Sequence, residues 1–175
     1  MQAAAPSVLT VEDDPIVRAD LRLILEDAGF DVVGDARDGV DAIGLAREHQ
    51  PDVILLDLGL PGLDGVQATE QILAERRVPI VALTGRSHSL AERALEAGAS
   101  SYLLKPVGAA EVVEAVTGAL VAHRERETRE LRAASLRSLE TLVGLLGYPA
   151  EWAAELEQRS WGAGEVWRLV DRSTD

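Results

Sequence analysis

The segment Asp52-Val53-Ile54-Leu55-Leu56-Asp57 is the most informative part of the sequence, because four consecutive branched apolar residues end in a single carboxylate. Pro51 and Gly59 bound this run, which is typical of a strand buried on both faces inside a parallel α/β sheet. Ligands of open α/β sheets bind beyond the carboxyl ends of the strands, where Asp57 would lie. Asp57 therefore either belongs to a ligand-binding site or is an ordinary residue of the turn that follows it, and this strand alone does not distinguish the two interpretations.

Outward from this strand, the chain alternates between short β-type runs and amphipathic helical patterns. The other strands are predicted at 7–11, 30–34, 78–83 and 101–104, and the helices at 15–28, 38–49, 66–76, 90–97 and from 109 onward. Five β–α units joined by short loops require a parallel sheet with helices on both faces. The predicted fold class is therefore a doubly wound α/β domain.

Length and composition indicate one such domain with an extension. With 175 residues, 47% of them hydrophobic, the chain has room for a domain of about 100–150 residues, and we place it at 7–120 and a helical region at 121–175. No apolar run approaches the ~20 residues of a membrane span, and the N-terminus does not resemble a signal peptide. We expect a cytoplasmic protein with no membrane partner. The absence of cysteine excludes disulfides and thiolate zinc sites.

The distribution of charge limits the classes of partner. Acidic residues outnumber basic ones 30 to 17, and the excess lies mainly in 1–120, since 121–175 holds 8 arginines against 10 acidic residues. An acidic surface repels nucleic-acid phosphates and suits a basic partner or a bound cation. The single lysine is Lys105, next to Pro106, in a chain with 16 arginines. This choice of a compact, flexible point charge favours a specific role for Lys105.

Polar residues follow the predicted strands and should meet at one edge of the sheet: Glu12, Asp13, Asp57, Thr84 and Lys105. Three carboxylates cannot crowd together in ionised form without a cation, and oxygen ligands of this kind are what Mg²⁺ requires. With Mg²⁺ as cofactor, Asp57 can act as a nucleophile towards a phosphoryl group. Lys105 and Thr84 would then hold the phosphoryl oxygens.

Four separated motifs carry a family resemblance: Val11-Glu12-Asp13-Asp14, Leu55-Leu56-Asp57 with Leu60-Pro61-Gly62 and Gly65, Leu83-Thr84-Gly85, and Tyr102-Leu103-Leu104-Lys105-Pro106. In order and spacing they resemble the receiver domain of bacterial two-component response regulators, over residues 7–120. The resemblance implies a flavodoxin-like (βα)5 fold with strand order 2-1-3-4-5. It also implies a phosphorelay, in which a sensor histidine kinase or a phosphotransfer protein supplies the phosphoryl group.

The resemblance assigns a role to each site residue: phosphoacceptor Asp57, switch hydroxyl Thr84, phosphate contact Lys105, aromatic switch Tyr102, and metal ligands Glu12, Asp13, Asp57 and the backbone carbonyl of Gly59. It further implies that phosphorylation draws Thr84 towards the phosphate and lets Tyr102 turn inward. Considered alone, Thr84 would be an ordinary turn residue and Tyr102 an ordinary strand aromatic. Asp14 is predicted to cap a helix, and Asp38, Asp41 and Asp64 to be caps or solvated charges.

A phosphohydrolase with an aspartate nucleophile is the rival from another class. Such enzymes carry a second aspartate two residues after the nucleophile, where this chain has Gly59. Without that acid or base we expect no enzyme, but at most slow self-dephosphorylation. His49, His88 and His123 lie outside the predicted cluster, which disfavours a phosphotransferring histidine. Neither G-x-G-x-x-G nor G-x-x-x-x-G-K-S/T occurs, so dinucleotide and P-loop binding are excluded.

The C-terminal region predicts helices only. From about Val112 we expect one long helix, or two, up to Gly144, a further helix at 150–160 and a last turn at 166–170. The 3-4-3 spacing of Leu136, Leu139, Val143 and Leu146, with Leu142 beside them, is typical of a coiled-coil seam or of the buried face of a small bundle. All three tryptophans, 152, 161 and 167, lie here.

Two output functions remain open for this region. It is below the ~70–80 residues that usually sustain a core alone, so we favour a homodimer through 120–146, or a protein partner at the Trp-bearing end. Its place after a long helix and the stretch Gly144-Leu145-Leu146 are similar to the antiterminator RNA-binding (ANTAR) domain. That similarity implies an RNA-binding transcription antiterminator as the alternative. The acidic balance disfavours nucleic acid, and DNA more than RNA, because the region is too short for a winged helix.

Overall fold

The computed structural model describes residues 4–85, 88–149 and 151–158, and the chain divides into two compact units, Met1–His123 and Arg124–Asp175. No helix in the described ranges has the length and apolar content that crossing a membrane would require. The elements follow in the order β1 (Ser7–Val11), α1 (Pro15–Asp27), β2 (Asp31–Ala36), α2 (Gly39–His49), β3 (Val53–Asp57), α3 (Gly65–Glu75), β4 (Ile80–Thr84), α4 (His88–Glu96), β5 (Ser101–Leu104), α5 (Ala109–Leu145) and α6 (Glu151–Gln158).

The five strands form one parallel sheet in the order β2-β1-β3-β4-β5, which confirms the predicted topology. Strand β3 is central, and all five of its residues are buried. In register, Leu56 lies between Val11 of β1 and Ala82 of β4. Since all strands run the same way, the residues at their carboxyl ends are brought to one edge.

Alternate residues of β3 belong to the two cores on opposite faces of the sheet, as the two-residue period of a strand requires. Ile54 and Leu56 pack in the core that includes residues of α2, α3 and α4. Val53 and Leu55 pack in the other core, which includes residues of α1 and of the first turns of α5. A strand buried on both sides needs a continuous apolar run, and this is why 53–56 contains no polar residue.

Two strands differ from their predicted bounds, each for a physical reason. Strand β2 continues to Ala36, because the carboxylate of Asp35 is satisfied inside the sheet by the hydroxyl of Thr10 and the guanidinium of Arg22. Strand β4 begins at Ile80 instead of 78 and includes Thr84 as its last residue. Pro79, which precedes β4, has no N–H to donate to a strand ladder.

In the second unit, α5 reaches Leu145 and ends at a turn with Gly147 at φ 78°. A small core is formed there by buried Val143 and Ala153 and by partly buried Leu136, Leu139, Tyr148 and Trp152. The rings of Tyr148 and Trp152 are stacked, with centroids 4.8 Å apart.

This small core agrees with the bundle interpretation of the leucine stripe for Leu136, Leu139 and Val143. Leu142 and Leu146, which the spacing assigned to the same stripe, are instead exposed by 56% and 53%. A stripe on a single helix is about 100° wide, so its outer members remain uncovered when only α6 packs on it. Trp161, Trp167 and the predicted turn at 166–170 lie outside the described residues.

Candidate functional site

The carboxyl ends of β1, β3 and β5 bring Glu12, Asp57 and Lys105 together. Glu12 follows β1 and is 1% exposed, and Asp57 ends β3 and is 6% exposed. The ammonium of Lys105, which follows β5, donates to Glu12 Oε2 at 2.6 Å and to Asp57 Oδ2 at 2.8 Å. One positive charge therefore pairs with two nearly buried carboxylates.

Asp13 adds a third carboxylate, and its side chain is exposed. Within the described ranges, Glu12, Asp13 and Asp57 form a group that can hold a metal ion, with one carboxylate oxygen from each lying within 4.8 Å of the others. Three carboxylates against one ammonium leave a net negative charge, and oxygen is the donor atom that Mg²⁺ prefers. The residues present thus fit a divalent cation.

The loop between β1 and α1 sets the acidic pair in place. The Glu12 amide donates to the carbonyl of Ala36 at 3.0 Å, which fixes the backbone at the end of β1. Asp14 caps α1, as predicted, because its Oδ1 accepts from the amides of Ile16 and Val17 at 2.8 and 3.2 Å. The loop is therefore held at both ends.

Two glycines lie close to Asp57 in the segment that follows β3. The Gly59 amide donates to Asp57 Oδ1 at 3.1 Å. A Cβ at Gly59 would lie 3.6 Å from each of the two Asp57 carboxylate oxygens, so a longer side chain there would stand next to the carboxylate. Further along, Gly65 packs so closely that a Cβ would lie 2.4 Å from the Asp57 carbonyl oxygen. Glycine at 65 thus lets α3 begin directly against the end of β3.

Thr84 lies at the same edge, whereas Tyr102 lies on the outer strand. Thr84 is the last residue of β4 and is 1% exposed, and its carbonyl accepts from the Lys105 amide at 2.8 Å. Tyr102 pairs with Ala82 in the sheet and is 38% exposed. The structure therefore groups Glu12, Asp13, Asp57 and Lys105 with Thr84 on the adjacent strand, and it places Tyr102 on the surface near them.

The electrostatics of the group follow from burial and from Lys105. Burial raises the pKa of Glu12 above its ordinary value; the hydrogen bond from Lys105 acts against this rise and the charge of Asp57 adds to it. Burial by itself would lower the pKa of Lys105, but the hydrogen bonds to Asp57 and Glu12 outweigh burial and raise it. Lys105 is therefore a cation at neutral pH.

Arg18 was not predicted from the sequence, yet its guanidinium contacts the acidic loop. Its Nη1 donates to the backbone carbonyls of Glu12 and Asp13 at 2.6 and 3.3 Å. The available signal was its position in the first turns of α1, because helical side chains are directed back towards the N-terminus of their helix. The other predicted caps are observed: Asp38 accepts from the Asp41 amide and Asp64 from the Gln67 amide.

Comparison with known proteins agrees with this geometry. The family model of the response regulator receiver domain matches residues 8–117. The transcriptional regulatory protein PdtaR of Mycobacterium tuberculosis is 40% identical over 142 residues, which cover 79% of this chain and 69% of that protein.

Solved structures agree as well. The signal receiver domain of a modulated diguanylate cyclase from Desulfovibrio desulfuricans G20 is 33% identical with a TM-score of 0.65, over 70% of this chain and 98% of that one. A CheX-CheY-BeF3-Mg²⁺ complex from Borrelia burgdorferi gives 25% identity and a TM-score of 0.61, over 64% and 87%. The five parallel strands, the grouped carboxylates with Lys105, and these matches lead to one conclusion: the chain belongs to the response regulator receiver family.

Proposed function

We propose that this protein is a response regulator of a two-component phosphorelay, which accepts a phosphoryl group on Asp57 with Mg²⁺ bound. The observation that carries the proposal is the position of the Lys105 ammonium, 2.8 Å from Asp57 and 2.6 Å from Glu12, beside the exposed carboxylate of Asp13. A carboxylate with an adjacent cation, and with a glycine at position 59 beside it, is suited to nucleophilic attack on phosphorus.

In the proposed reaction an oxygen of Asp57 forms a bond to phosphorus while the bond from phosphorus to the donor nitrogen of a phosphohistidine breaks. The departing imidazole keeps the bonding electron pair. Lys105 offers an ammonium to the phosphoryl oxygens, and the hydroxyl of Thr84 can donate to another from the end of β4. A bound Mg²⁺ would supply the remaining positive charge, held by Glu12, Asp13, Asp57 and the carbonyl of Gly59.

We propose that the donor is a sensor histidine kinase or a phosphotransfer protein, and that this chain does not turn over a substrate of its own. Support comes from Gly59, which places no acid or base two residues after the nucleophile. The remaining hydrolysis of the aspartyl phosphate would be slow. A phosphohydrolase, the alternative from another class, would need a proton-transfer group at that position.

Incubation of the full chain with acetyl phosphate tests the proposal, with intact-mass spectrometry as the measurement. We expect one phosphoryl group on the wild type in the presence of Mg²⁺, and none after chelation of the metal. Asp57→Asn should gain no phosphate, and Asp13→Asn should need far more Mg²⁺. Equal labelling of wild type and Asp57→Asn would rule the proposal out.

We further propose that phosphorylation changes the surface formed by α4, β5 and the first turns of α5. A phosphate adds about −1.5 to −2 charges and strong acceptors, enough to bias a two-state surface. Thr84 would move towards the phosphate and Tyr102, now 38% exposed, would turn inward. Helix α5 begins in the receiver, 7–120, and continues into the output region, 121–175. A change in the packing of its first turns would therefore be passed along the same helix to the output region.

For the output we propose a homodimer through residues 120–146, with a protein partner at the Trp-bearing end. The supporting observation is that the second unit keeps large apolar side chains exposed after its own core has formed: Leu131 by 71%, Leu142 by 56%, Leu145 by 79% and Leu146 by 53%. A second copy that covered these leucines would remove their apolar surface from water.

A second candidate output is RNA binding of the antiterminator kind. The observation in its favour is that the similarity to PdtaR, described as a transcriptional regulatory protein, extends over 142 residues, which is longer than the receiver match at 8–117. Against it stands the acidic balance of 121–175. An RNA shift assay at low salt separates the two, because tight, salt-sensitive binding would favour the RNA candidate.

A further inference from the structure

Among the described residues, Arg18 is the one whose side chain donates hydrogen bonds to the backbone carbonyls of the acidic loop. Its Nη1 lies 2.6 Å from the carbonyl oxygen of Glu12 and 3.3 Å from that of Asp13. These are the two residues whose carboxylates form, with that of Asp57, the group that can hold a metal ion. The guanidinium therefore fixes the main chain that carries the carboxylates and makes no ion pair with the carboxylates themselves.

We infer that Arg18 is a positioning residue, which sets the affinity of the site for a divalent cation by fixing the Glu12–Asp13 backbone. The inference rests on the function proposed above. Its physical basis is preorganisation: a loop whose backbone is already held loses less conformational entropy when its carboxylates bind a cation. Groups that hold metal ligands in place without touching the metal commonly change the metal affinity by about 10- to 100-fold when they are removed.

The sign of the effect separates this role from a plain electrostatic one. If Arg18 acted only as a nearby positive charge, it would repel Mg²⁺, and its removal would strengthen metal binding. If Arg18 positions the loop, its removal weakens binding even though a repelling charge is lost. The two accounts thus predict opposite changes in the same dissociation constant.

Arg22 provides a matched control on the same helix. It also lies on α1, but its guanidinium binds Asp35 and Glu26 and the carbonyl of Val32, and none of these contacts is to the acidic loop. Replacing Arg22 by alanine removes the same charge from α1 and leaves the Glu12 and Asp13 carbonyls with their partner.

The test is isothermal titration of Mg²⁺ into the full chain, for wild type, Arg18→Ala, Arg18→Lys and Arg22→Ala. We expect Arg18→Ala to bind Mg²⁺ about tenfold more weakly. Arg22→Ala should stay within about twofold of wild type, because Asp35 keeps its hydrogen bond from the Thr10 hydroxyl and both loop carbonyls keep Arg18. Because a single nitrogen contacts both carbonyls, a lysine at 18 should recover part of the loss.

A second readout needs no metal. Hydrogen exchange of the metal-free chain should show faster exchange of the amides of residues 12–14 in Arg18→Ala, but not in Arg22→Ala. Acetyl phosphate labelling at saturating Mg²⁺ should proceed at nearly the wild-type rate in Arg18→Ala, with the half-saturating Mg²⁺ concentration raised. If Arg18→Ala does not fold, Arg18→Gln, which keeps the side-chain stem, is judged by the same criteria.

If the wild type binds Mg²⁺ and Arg18→Ala binds it equally or more tightly, the inference about Arg18 is overturned and the proposed function is not affected. Absence of Mg²⁺ binding by the wild-type chain would instead reject the proposed function, and this inference with it. An equal loss of affinity in Arg18→Ala and Arg22→Ala would also overturn it, since a general effect on α1 would then explain both.

Discussion

Lys105 Nζ donates a hydrogen bond to Asp57 Oδ2 at 2.8 Å, although the two residues are 48 positions apart in the chain. The contact exists because β5 and β3 end at the same edge of a parallel sheet, with β4 between them. The same ammonium donates to Glu12 Oε2 at 2.6 Å. Glu12 follows β1, which lies on the other side of β3. Lys105 therefore links three strand ends, at the edge of the sheet where the proposed chemistry takes place.

Replacing Lys105 by methionine should destabilise the metal-free protein by about 3 kcal/mol, because Glu12 and Asp57 are left buried without a countercharge. The side chains of these two residues are only 2% and 8% exposed. Mg²⁺ should reduce the deficit, since a bound cation neutralises the same carboxylates. Urea unfolding with and without Mg²⁺ measures both effects.

Arg47→Met is the control for this experiment, because Arg47 forms an ion pair with Glu75 at the protein surface. We expect no measurable change in the midpoint of unfolding for it. A Lys105→Met deficit that Mg²⁺ does not alter would contradict the assignment of the carboxylates to a metal site.

Gly65→Ala should destabilise the protein by about 2–3 kcal/mol, as overpacking does. The new Cβ would lie 2.4 Å from the Asp57 carbonyl oxygen and 2.6 Å from the Leu58 Cα, which are backbone atoms. Gly44→Ala is the matched control, since its Cβ would meet nothing within 4 Å in the middle of α2. It should stabilise the protein by about 0.5–1 kcal/mol. Thermal unfolding measures both changes. An unchanged melting temperature of Gly65→Ala would show that α3 is not packed tightly against the end of β3.

The sheet could be predicted from the sequence because its signals are local. The run Val53–Leu56 is wholly apolar, turn residues bound it, and helical periods separate it from its neighbours. The grouping of Glu12, Asp57 and Lys105 followed from topology alone, since parallel strands share an edge. The ends of strands were less predictable where a polar residue continues the strand because a side chain from another element binds it. Asp35 of β2, which binds Arg22 of α1, is an example.

Contacts that depend on side-chain direction could not be predicted in the same way. The bonds of Arg18 to the Glu12 and Asp13 carbonyls require both the start of α1 and the rotamer of a long side chain. The packing of the C-terminal region was harder to predict, because the spacing of leucines on a helix does not identify the residues that pack against them. There Tyr148 and Trp152 of the same unit cover part of the stripe and leave Leu142 exposed.

Thr84→Ala should accept phosphate on Asp57 but fail to transmit the change to the output region, because it lacks the hydroxyl that we propose as the switch. Light scattering of the full chain, with beryllofluoride as the phosphate mimic, measures whether the oligomeric state still responds. Ser101→Ala is the control: it removes a buried hydroxyl that makes no hydrogen bond within the described residues, one strand away. A normal response of Thr84→Ala would exclude this route.

Leu142→Glu should convert the proposed dimer into a monomer, since Leu142 is 56% exposed on α5 and would lie in the interface. A charge buried in an apolar interface costs several kcal/mol, which is enough to dissociate a dimer at micromolar concentration. Ala133→Glu adds the same charge at an exposed position nine residues before Leu142, which is the opposite face of α5, and should leave the dimer intact. A monomeric wild type, with and without beryllofluoride, would contradict the dimer.

Asp57 is the carboxylate that we propose as the acceptor of the phosphoryl group. Borohydride reduction of the acetyl phosphate-treated chain converts an aspartyl phosphate into homoserine, and peptide sequencing by mass spectrometry then locates it. We predict homoserine at position 57 in Mg²⁺ and nowhere after chelation. Reduction products at Glu12 or Asp13, or an unmodified residue 57 in the presence of Mg²⁺, would show that Asp57 is not the acceptor.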